Sequence, residues 1–352
     1  MTRRLVSMQT HSNSRTNVFL GGVAALAGLA LVNWGLARRA EARNPPLGRF
    51  ITIDGTKLHY LERGSGPALV LLHGNGTMLQ DFVASGLIDR LAKDYRVIAF
   101  DRPGFGYSER PSGIVWDPDA QAGLIQSALR ELGVSEAIVL GHSWGTLVGL
   151  ALATNYPAQV RALIVISGYY FPTPRLDAAL AAISAMPGIG AVITHTIAPL
   201  VSRAMWPLAA RKLFGPQRIP SKFHAFPREM AVRPSQLKAV SEEAALMIPS
   251  VLALRERYQR VTIPVVIMMG GDDRVIDPAQ SERLSRKINR SLLMKLPGHG
   301  HMVHQTATAK VLTAIIAAAE SSDARPSTPI NSASAAEFHS VSPQASSEVL
   351  ER

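Results

Sequence analysis

Short apolar, β-branched runs alternate with longer helical patterns through the central part of this chain, and together they predict an α/β fold. From the third run onward, helical stretches such as residues 77–92 and 117–132 separate most of the runs. Such alternation predicts a mostly parallel sheet covered by helices on both faces. The eight predicted strands are residues 50–53, 58–61, 68–72, 97–100, 137–140, 162–166, 265–269 and 292–296.

The sixth and seventh predicted strands are too far apart for a simple crossover connection. Helical patterns broken by prolines fill the gap, so we predict an inserted helical lid over residues 173–260. Within it, residues 178–202 carry no charge and could be taken for a membrane span. Because Pro187 and two nearby glycines interrupt that stretch, a lid that lines an apolar substrate cavity fits the pattern better.

The N-terminal residues contain a second kind of apolar pattern. Residues 18–37 carry no charge, and Asn33 is their only strongly polar residue. A helix of this length is roughly 30 Å long, which matches the bilayer core, and arginines flank it on both sides. We predict an N-terminal tail, residues 1–44, with a single-pass membrane anchor. The alternative is a signal sequence that is cleaved after Ala42, which would give a secreted or periplasmic protein.

These segments leave an α/β core in two parts, residues 45–172 and 261–320. Residues 321–352 are rich in Ser, Ala and Pro without sustained periodicity, so we predict a disordered C-terminal tail.

Charge and composition narrow the expected partners. The net charge is +11, and nine basic residues against two acidic ones lie between Thr173 and Val240. Aromatic residues interleave with them, a composition typical of solvated helices and of surfaces that meet lipid headgroups. We expect a membrane and a small hydrophobic substrate as partners, and no nucleic acid. The absence of cysteine excludes disulfides, thiolate zinc sites and a cysteine nucleophile.

One serine stands in a tight frame, GHSWG, at residues 141–145. A predicted strand precedes it, and a helical pattern over residues 146–156 follows and ends at Pro157. Ser143 is therefore expected on a sharp turn between strand and helix. Neighbouring Cβ atoms would clash in such a turn, and Gly141 and Gly145 lack them.

Polar residues follow several of the predicted strands. His73, Asp101, Ser143 and the segment around Asp273 each come directly after an apolar run. Because the carboxyl ends of parallel strands meet at one edge of the sheet, this edge is the predicted site of the chemistry.

Residues 50–319 resemble the α/β-hydrolase family. The matching motifs occur in the family's order: HGNG (73–76), DRPGFGYS (101–108), GHSWG, GGDDRVIDP (270–278) and PGHGHMV (297–303). The resemblance implies an α/β-hydrolase fold with a lid. It also implies an oxyanion hole formed by the backbone N–H groups of Asn75 and Trp144.

The chain order Ser143, Asp273, His301 is the order typical of this fold. A serine hydroxyl needs a base to take its proton, and His301 is the predicted base. Asp273 would hold the imidazole tautomer and stabilise the imidazolium.

Each of these assignments has a neighbouring rival. Asp272 competes with Asp273, but the family pattern places the acid just before a basic residue, here Arg274. His299 and His304 compete with His301, but the pattern places the histidine after a glycine.

Other polar residues are expected in supporting roles. We expect His73 and His142 to lie beneath the site as structural residues, and Asp101 to tie down its own loop. The two lid histidines, His195 and His224, are expected in a pocket or on the surface.

Serine at position 143 argues against two groups that the fold resembles, haloalkane dehalogenases and epoxide hydrolases, because both carry aspartate there. We predict a serine hydrolase of an ester, lactone or similar acyl bond, acting through an acyl-enzyme without a metal or organic cofactor. The alternatives are a prolyl-aminopeptidase-like or carbon–carbon bond hydrolase, a non-hydrolytic ligand-binding protein, and a lyase or peroxidase with the same fold.

Overall fold

The computed structural model describes residues 2–176, 183–186 and 188–323, with side chains from residue 16 onward. Eight strands form one sheet in the order β1-β2-β4-β3-β5-β6-β7-β8. The two pairings that involve β2 are antiparallel and the other five are parallel. The predicted mostly parallel sheet of eight strands is thus confirmed. The strands are β1 (Arg49–Ile53), β2 (Thr56–Arg63), β3 (Ala68–Leu72), β4 (Arg96–Phe100), β5 (Ala137–His142), β6 (Val160–Ile166), β7 (Val265–Gly270) and β8 (Ser291–Leu296).

Helices cover both faces of this sheet. The described α-helices are α1 (Thr2–Arg43), α2 (Gln80–Ala84), α3 (Leu87–Leu91), α4 (Pro118–Glu131), α5 (Trp144–Asn155), α6 (Ile189–His195), α7 (Ala198–Phe214), α8 (Arg228–Ala231), α9 (Pro234–Arg255), α10 (Ala279–Ser285), α11 (Val303–Thr306) and α12 (Thr308–Asp323). Alternate residues of β3 point to opposite faces: Val70 and Leu72 pack with α4 and α5, whereas Leu69 and Leu71 pack with α3 and α12.

One of the two helix predictions differs from the structure, and the other agrees with it. The single helical stretch predicted over residues 77–92 is divided into α2 and α3, because Gly86 between them has φ +72°, a left-handed conformation that a helix cannot continue through. The second prediction, residues 117–132, matches α4. Its N-cap is Asp117, whose carboxylate accepts the Ala120 N–H at 2.8 Å.

The N-terminal helix α1 is longer than the predicted anchor. Within the described residues, its segment Thr16–Arg43 is the one helix long and apolar enough to cross a membrane. Its C-terminal part packs against protein, since Ala40 is buried in a cluster with Phe214, Phe226 and Met302.

The segment between β6 and β7 contains α6 to α9, and we call residues 173–260 the helical insertion. Residues 177–182 and 187 of it lie outside the described part of the chain. At the other end, α12 extends to Asp323, and the rest of the predicted C-terminal tail also lies outside the described residues.

Candidate active site

Ser143 stands at the carboxyl end of β5, immediately before α5. Its φ of +51° and ψ of −118° are a strained combination for a residue with a side chain. The turn is possible because both flanking glycines lack Cβ atoms. A Cβ on Gly145 would lie 2.2 Å from the Leu72 carbonyl oxygen, and one on Gly141 would lie 2.4 Å from the Gly145 oxygen.

Asp273 and His301 form a buried pair beside the sheet edge. The Nδ1 of His301 is 2.7 Å from Oδ2 of Asp273, and the two side chains are 3% and 2% exposed. The other oxygen of Asp273 accepts the backbone N–H groups of Val275 at 2.7 Å and Ile276 at 3.0 Å. Because a carboxylate oxygen accepts hydrogen bonds, this contact favours the His301 tautomer that carries its proton on Nδ1, in which Nε2 is the nitrogen with a lone pair.

The rival aspartate and histidines have other partners. Asp272 is exposed, and its carboxylate accepts the Gly298 N–H at 2.7 Å. The Nδ1 of His299 lies 2.9 Å from the Thr306 hydroxyl, and burial lowers the pKa of His299. His304 is fully buried, with Nε2 2.9 Å from an Asp81 oxygen.

His73 uses both ring nitrogens to hold the backbone. Its Nδ1–H donates to the Gly74 carbonyl at 2.8 Å, and its Nε2 accepts the Arg102 N–H at 3.0 Å. This tautomer is neutral, and burial holds the pKa of His73 well below its usual range. His73 therefore has no free lone pair with which to act as a base, and it fixes the loop that follows β3.

His142 ties the chain before Ser143 to the histidine loop. Its Nε2–H donates to the His301 carbonyl at 3.2 Å, and the two rings are 5.0 Å apart. Burial, together with the nearby rings of His304 and His301, holds the pKa of His142 well below its usual range. Ligand atoms of Asp81, His142 and His304 lie within 4.8 Å of one another, and the Asp81–His304 hydrogen bond accounts for part of this grouping without an ion.

The two predicted oxyanion donors belong to α5, which follows Ser143, and to the loop after β3, which approaches Ser143 at Gly74. Trp144 is the first residue of α5, so its N–H is one of the four that have no acceptor within the helix. Asn75 follows Gly74, at which a Cβ would lie 3.0 Å from the Ser143 Cβ. The side chain of Asn75 donates to the Val240 carbonyl of α9 at 3.2 Å, which joins this loop to the insertion.

Asp101 and the lid histidines match their expected supporting positions. The buried Asp101 carboxylate accepts the N–H groups of Leu79 at 2.8 Å and Tyr107 at 3.0 Å, and lies 2.7 Å from His59 Nδ1. His195 and His224 are exposed.

A buried ion pair between Arg102 and Glu243 was not predicted from the sequence. Both side chains are fully buried, and the guanidinium meets the carboxylate through both of its Nη atoms. Arg102 Nε also donates to the His73 carbonyl at 2.8 Å, and Gln121 donates to Glu243 at 3.0 Å. The pair therefore fastens α9 of the insertion to the residue that precedes Gly74 and Asn75. Glu243 lies 141 positions after Arg102, and no local motif marks it.

The protein-family model of the alpha/beta hydrolase fold matches residues 67–308 of this chain. The chain is similar to haloalkane dehalogenase 2 of Mycobacterium bovis, with 27% identity over 274 residues that cover 74% of this chain and 90% of that protein. A segment of 143 residues is 36% identical to 2-hydroxymuconate semialdehyde hydrolase of a Pseudomonas species, covering 40% of this chain and 50% of that enzyme.

A solved structure of a membrane phospholipase A, described as a bacterial virulence factor, is also similar. Its TM-score is 0.61 at 22% identity, and the match covers 91% of this chain and 99% of that one. At this identity the likeness shows a shared fold.

Proposed function

Since this chain belongs to the alpha/beta hydrolase fold family, we propose that it is a serine hydrolase that cleaves an ester, lactone or similar acyl bond. The observation that carries the proposal is the buried hydrogen bond of 2.7 Å between His301 and Asp273. It leaves one imidazole nitrogen free to take a proton, on the sheet edge where the strained turn presents Ser143.

In the proposed mechanism, Ser143 Oγ attacks the acyl carbon while His301 Nε2 takes the hydroxyl proton. Asp273 stabilises the imidazolium. The backbone N–H groups of Asn75 and Trp144 receive the negative charge that develops on the substrate oxygen, at about 2.7–4 kcal/mol per donor.

When the tetrahedral intermediate collapses, His301 returns the proton to the leaving alkoxide and the acyl group remains on Ser143. A water molecule, deprotonated by His301, then attacks the acyl-enzyme. His301 returns that proton to Ser143 Oγ as the acid leaves, which restores the free enzyme.

The residue at position 143 supports acyl chemistry over dehalogenation despite the similarity to a haloalkane dehalogenase. The haloalkane dehalogenases that this fold resembles carry aspartate at this position, whereas this chain has serine. A carbon–carbon bond hydrolase is the second candidate, and the 36% identical segment of 2-hydroxymuconate semialdehyde hydrolase favours it.

We further propose that α1 anchors the enzyme in a membrane. The apolar segment of α1 and the similarity to a membrane phospholipase A over 91% of the chain support this placement.

The experiment is labelling of the full chain, in detergent micelles, with a fluorophosphonate probe. We expect an adduct on the natural protein and none on Ser143→Ala. Ser167→Ala is the matched control, because Ser167 also directly follows a parallel strand, β6, and also has a positive φ, of +53°. An adduct that survives Ser143→Ala, or its absence from the folded natural protein, would refute the proposal.

A panel of p-nitrophenyl esters of increasing chain length, lactones and a vinylogous diketone then separates the two candidates. Turnover of the diketone alone would favour the carbon–carbon hydrolase, whereas turnover of esters supports the main proposal.

A further inference from the structure

Large apolar side chains are exposed mainly at two places in the described part of the chain. Of the 23 such residues that are exposed, seven lie on α1 and ten lie between residues 176 and 208 of the insertion. Single exposed apolar side chains are ordinary on a protein surface, but a concentration of them outside the anchor marks this segment as a candidate contact surface.

Helix α7 shows how this surface is built. Its inward face carries the buried Ala210 and Phe214, and the Phe214 ring packs against Phe223 of the insertion. Its opposite face carries Val201, Met205 and Leu208, at the i, i+4, i+7 spacing that places them on one side of a helix. These three side chains are 52%, 48% and 60% exposed.

Hydrogen bonds of Asn33 join α1 to the start of α7, where Arg203 also donates to the Asn33 side-chain oxygen at 3.2 Å. Asn33, the only strongly polar residue in the apolar run of α1, is buried. Its side-chain N–H₂ donates to the carbonyls of His195 at 3.0 Å and Thr196 at 2.7 Å, where α6 ends and α7 is about to begin.

This contact fixes the position of the start of α7 along the axis of α1. Asn33 is five residues before Arg38, which is the first charged residue after the apolar run. At 1.5 Å per residue, the start of α7 therefore lies about 7–8 Å to the apolar side of Arg38. If α1 spans a bilayer, this level is within the boundary between headgroups and acyl chains, where amphipathic helices lie.

The charge of residues 178–228 also fits contact with a membrane surface. Residues 178–228 contain no acidic residue. Exposed basic residues follow the apolar part of each helix, Arg38 and Arg39 on α1 and Arg211 and Lys212 on α7. Basic side chains beside an apolar face complement the phosphates of anionic lipids.

We propose that the outward face of α7, with Val201, Met205 and Leu208, lies in the same membrane leaflet as the C-terminal part of α1. Its partner is a lipid bilayer that contains anionic phospholipid. The inference rests on the membrane anchoring included in the proposed function, and it adds a second membrane-contacting surface within the catalytic domain.

This surface is directly connected to the proposed site. The carbonyl of Leu213, in the last turn of α7, accepts the His301 N–H at 3.0 Å. From Val201 to Leu213 the helix rises about 18 Å, so the proposed base lies within about that distance of the lipid contact. The class of substrate within reach is an acyl lipid of the same leaflet.

The absence of cysteine makes this surface directly testable on the full chain. We would introduce Val201→Cys and Leu208→Cys singly and attach an environment-sensitive fluorophore. The protein is reconstituted in vesicles of phosphatidylcholine and phosphatidylglycerol, with or without nitroxide-labelled acyl chains. Leu31→Cys reports on the anchor, and Ile316→Cys, on the exposed side of α12 at 50% exposure, is the matched control.

We expect nitroxide quenching and a blue-shifted emission at positions 201 and 208, of the size seen at position 31, and neither effect at position 316. Labels at 201 and 208 that behave like the one at 316, while position 31 is quenched, would overturn the inference and leave the anchor intact. If the labels at 201 and 208 are unquenched and position 201 cross-links two copies of the chain, this face is a dimer interface. That result would also overturn the inference. Quenching at 201 and 208 without quenching at 31 would support the surface and contradict the anchor.

Discussion

The Nδ1 of His301 and the Oδ2 of Asp273 are 2.7 Å apart, and both side chains are buried, although 28 residues separate them in the chain. The loops after β7 and β8, two adjacent parallel strands, carry the two residues to the same sheet edge.

Asp273→Asn should lower kcat for a good ester substrate by about four orders of magnitude. An asparagine N–H₂ would donate to Nδ1 of His301 and hold the tautomer that has no free lone pair at Nε2. Steady-state kinetics on a p-nitrophenyl ester measure the loss.

Asp272→Asn is the control for this change, because the exposed Asp272 contacts the Gly298 N–H through an oxygen that asparagine keeps. It should retain most of the activity. A larger loss of activity for Asp272→Asn than for Asp273→Asn would show that Asp272, and not Asp273, is the acid that supports His301.

Glu243→Gln should destabilise the folded protein by about 3–5 kcal/mol, because it leaves the buried Arg102 guanidinium without its counter-charge. Thermal unfolding in detergent measures the change as a lowered midpoint.

Glu242→Gln is the neighbouring control on the same helix. The Glu242 side chain is 28% exposed and pairs with Arg110, which is 7% exposed, and with the exposed Lys238, so its change should cost less than the loss of the fully buried Glu243 carboxylate. Equal shifts for the two variants would show that the Arg102–Glu243 pair adds nothing beyond a partly exposed ion pair.

Gly145→Ala should prevent correct folding of the turn or cost several kcal/mol, because the new Cβ would lie 2.2 Å from a carbonyl oxygen of β3. Gly123→Ala is the opposite case. Gly123 lies within α4, where a Cβ would meet only the Tyr156 hydroxyl at 3.4 Å.

At Gly123, alanine should stabilise the helix by roughly 0.5–1 kcal/mol. The unfolding midpoints of the two variants measure both effects: we expect a lower midpoint for Gly145→Ala and a higher one for Gly123→Ala. A Gly145→Ala protein as stable as the natural one would mean that the turn relaxes freely.

Stability should fall as the pH drops below about 6.5, the ordinary pKa of histidine. Burial lowers the pKa values of His73 and His142 in the folded protein, so both stay neutral while the unfolded chain takes up protons. Their contribution is fully present above the unfolded pKa and is lost at up to about 1.4 kcal/mol per pH unit for each histidine below it.

Unfolding measured in detergent from neutral to mildly acidic pH gives this slope. His142→Gln keeps a side-chain N–H donor toward the His301 carbonyl but removes the titrating group. Its slope should be smaller than that of the natural protein, and an unchanged slope would show that His142 is already protonated in the folded state.

The sequence predicts the surroundings of Ser143 well because the rules that shape them are local. A strand, a tight turn and a helix follow one another within about twenty residues, and the glycines that the turn requires stand at fixed positions. The Asp273–His301 contact was predictable because adjacent parallel strands bring their carboxyl ends together.

The Arg102–Glu243 pair could not be predicted in this way. Its partners lie 141 residues apart, and how the insertion packs depends on many weak contacts among irregular helices. Hydropathy likewise marks the apolar part of α1 but not its ends, since the polar residues up to Arg43 continue the helix.

The backbone at Ser143 has a consequence for any attempt to make this protein more robust. A residue held at φ +51° and ψ −118° stores on the order of 1–3 kcal/mol of conformational strain, and glycine would be spared most of it. Under the proposed mechanism, Ser143→Gly would therefore be more thermostable and inactive. A screen that selects for heat resistance alone would favour the loss of the nucleophile, so stability and turnover have to be selected together.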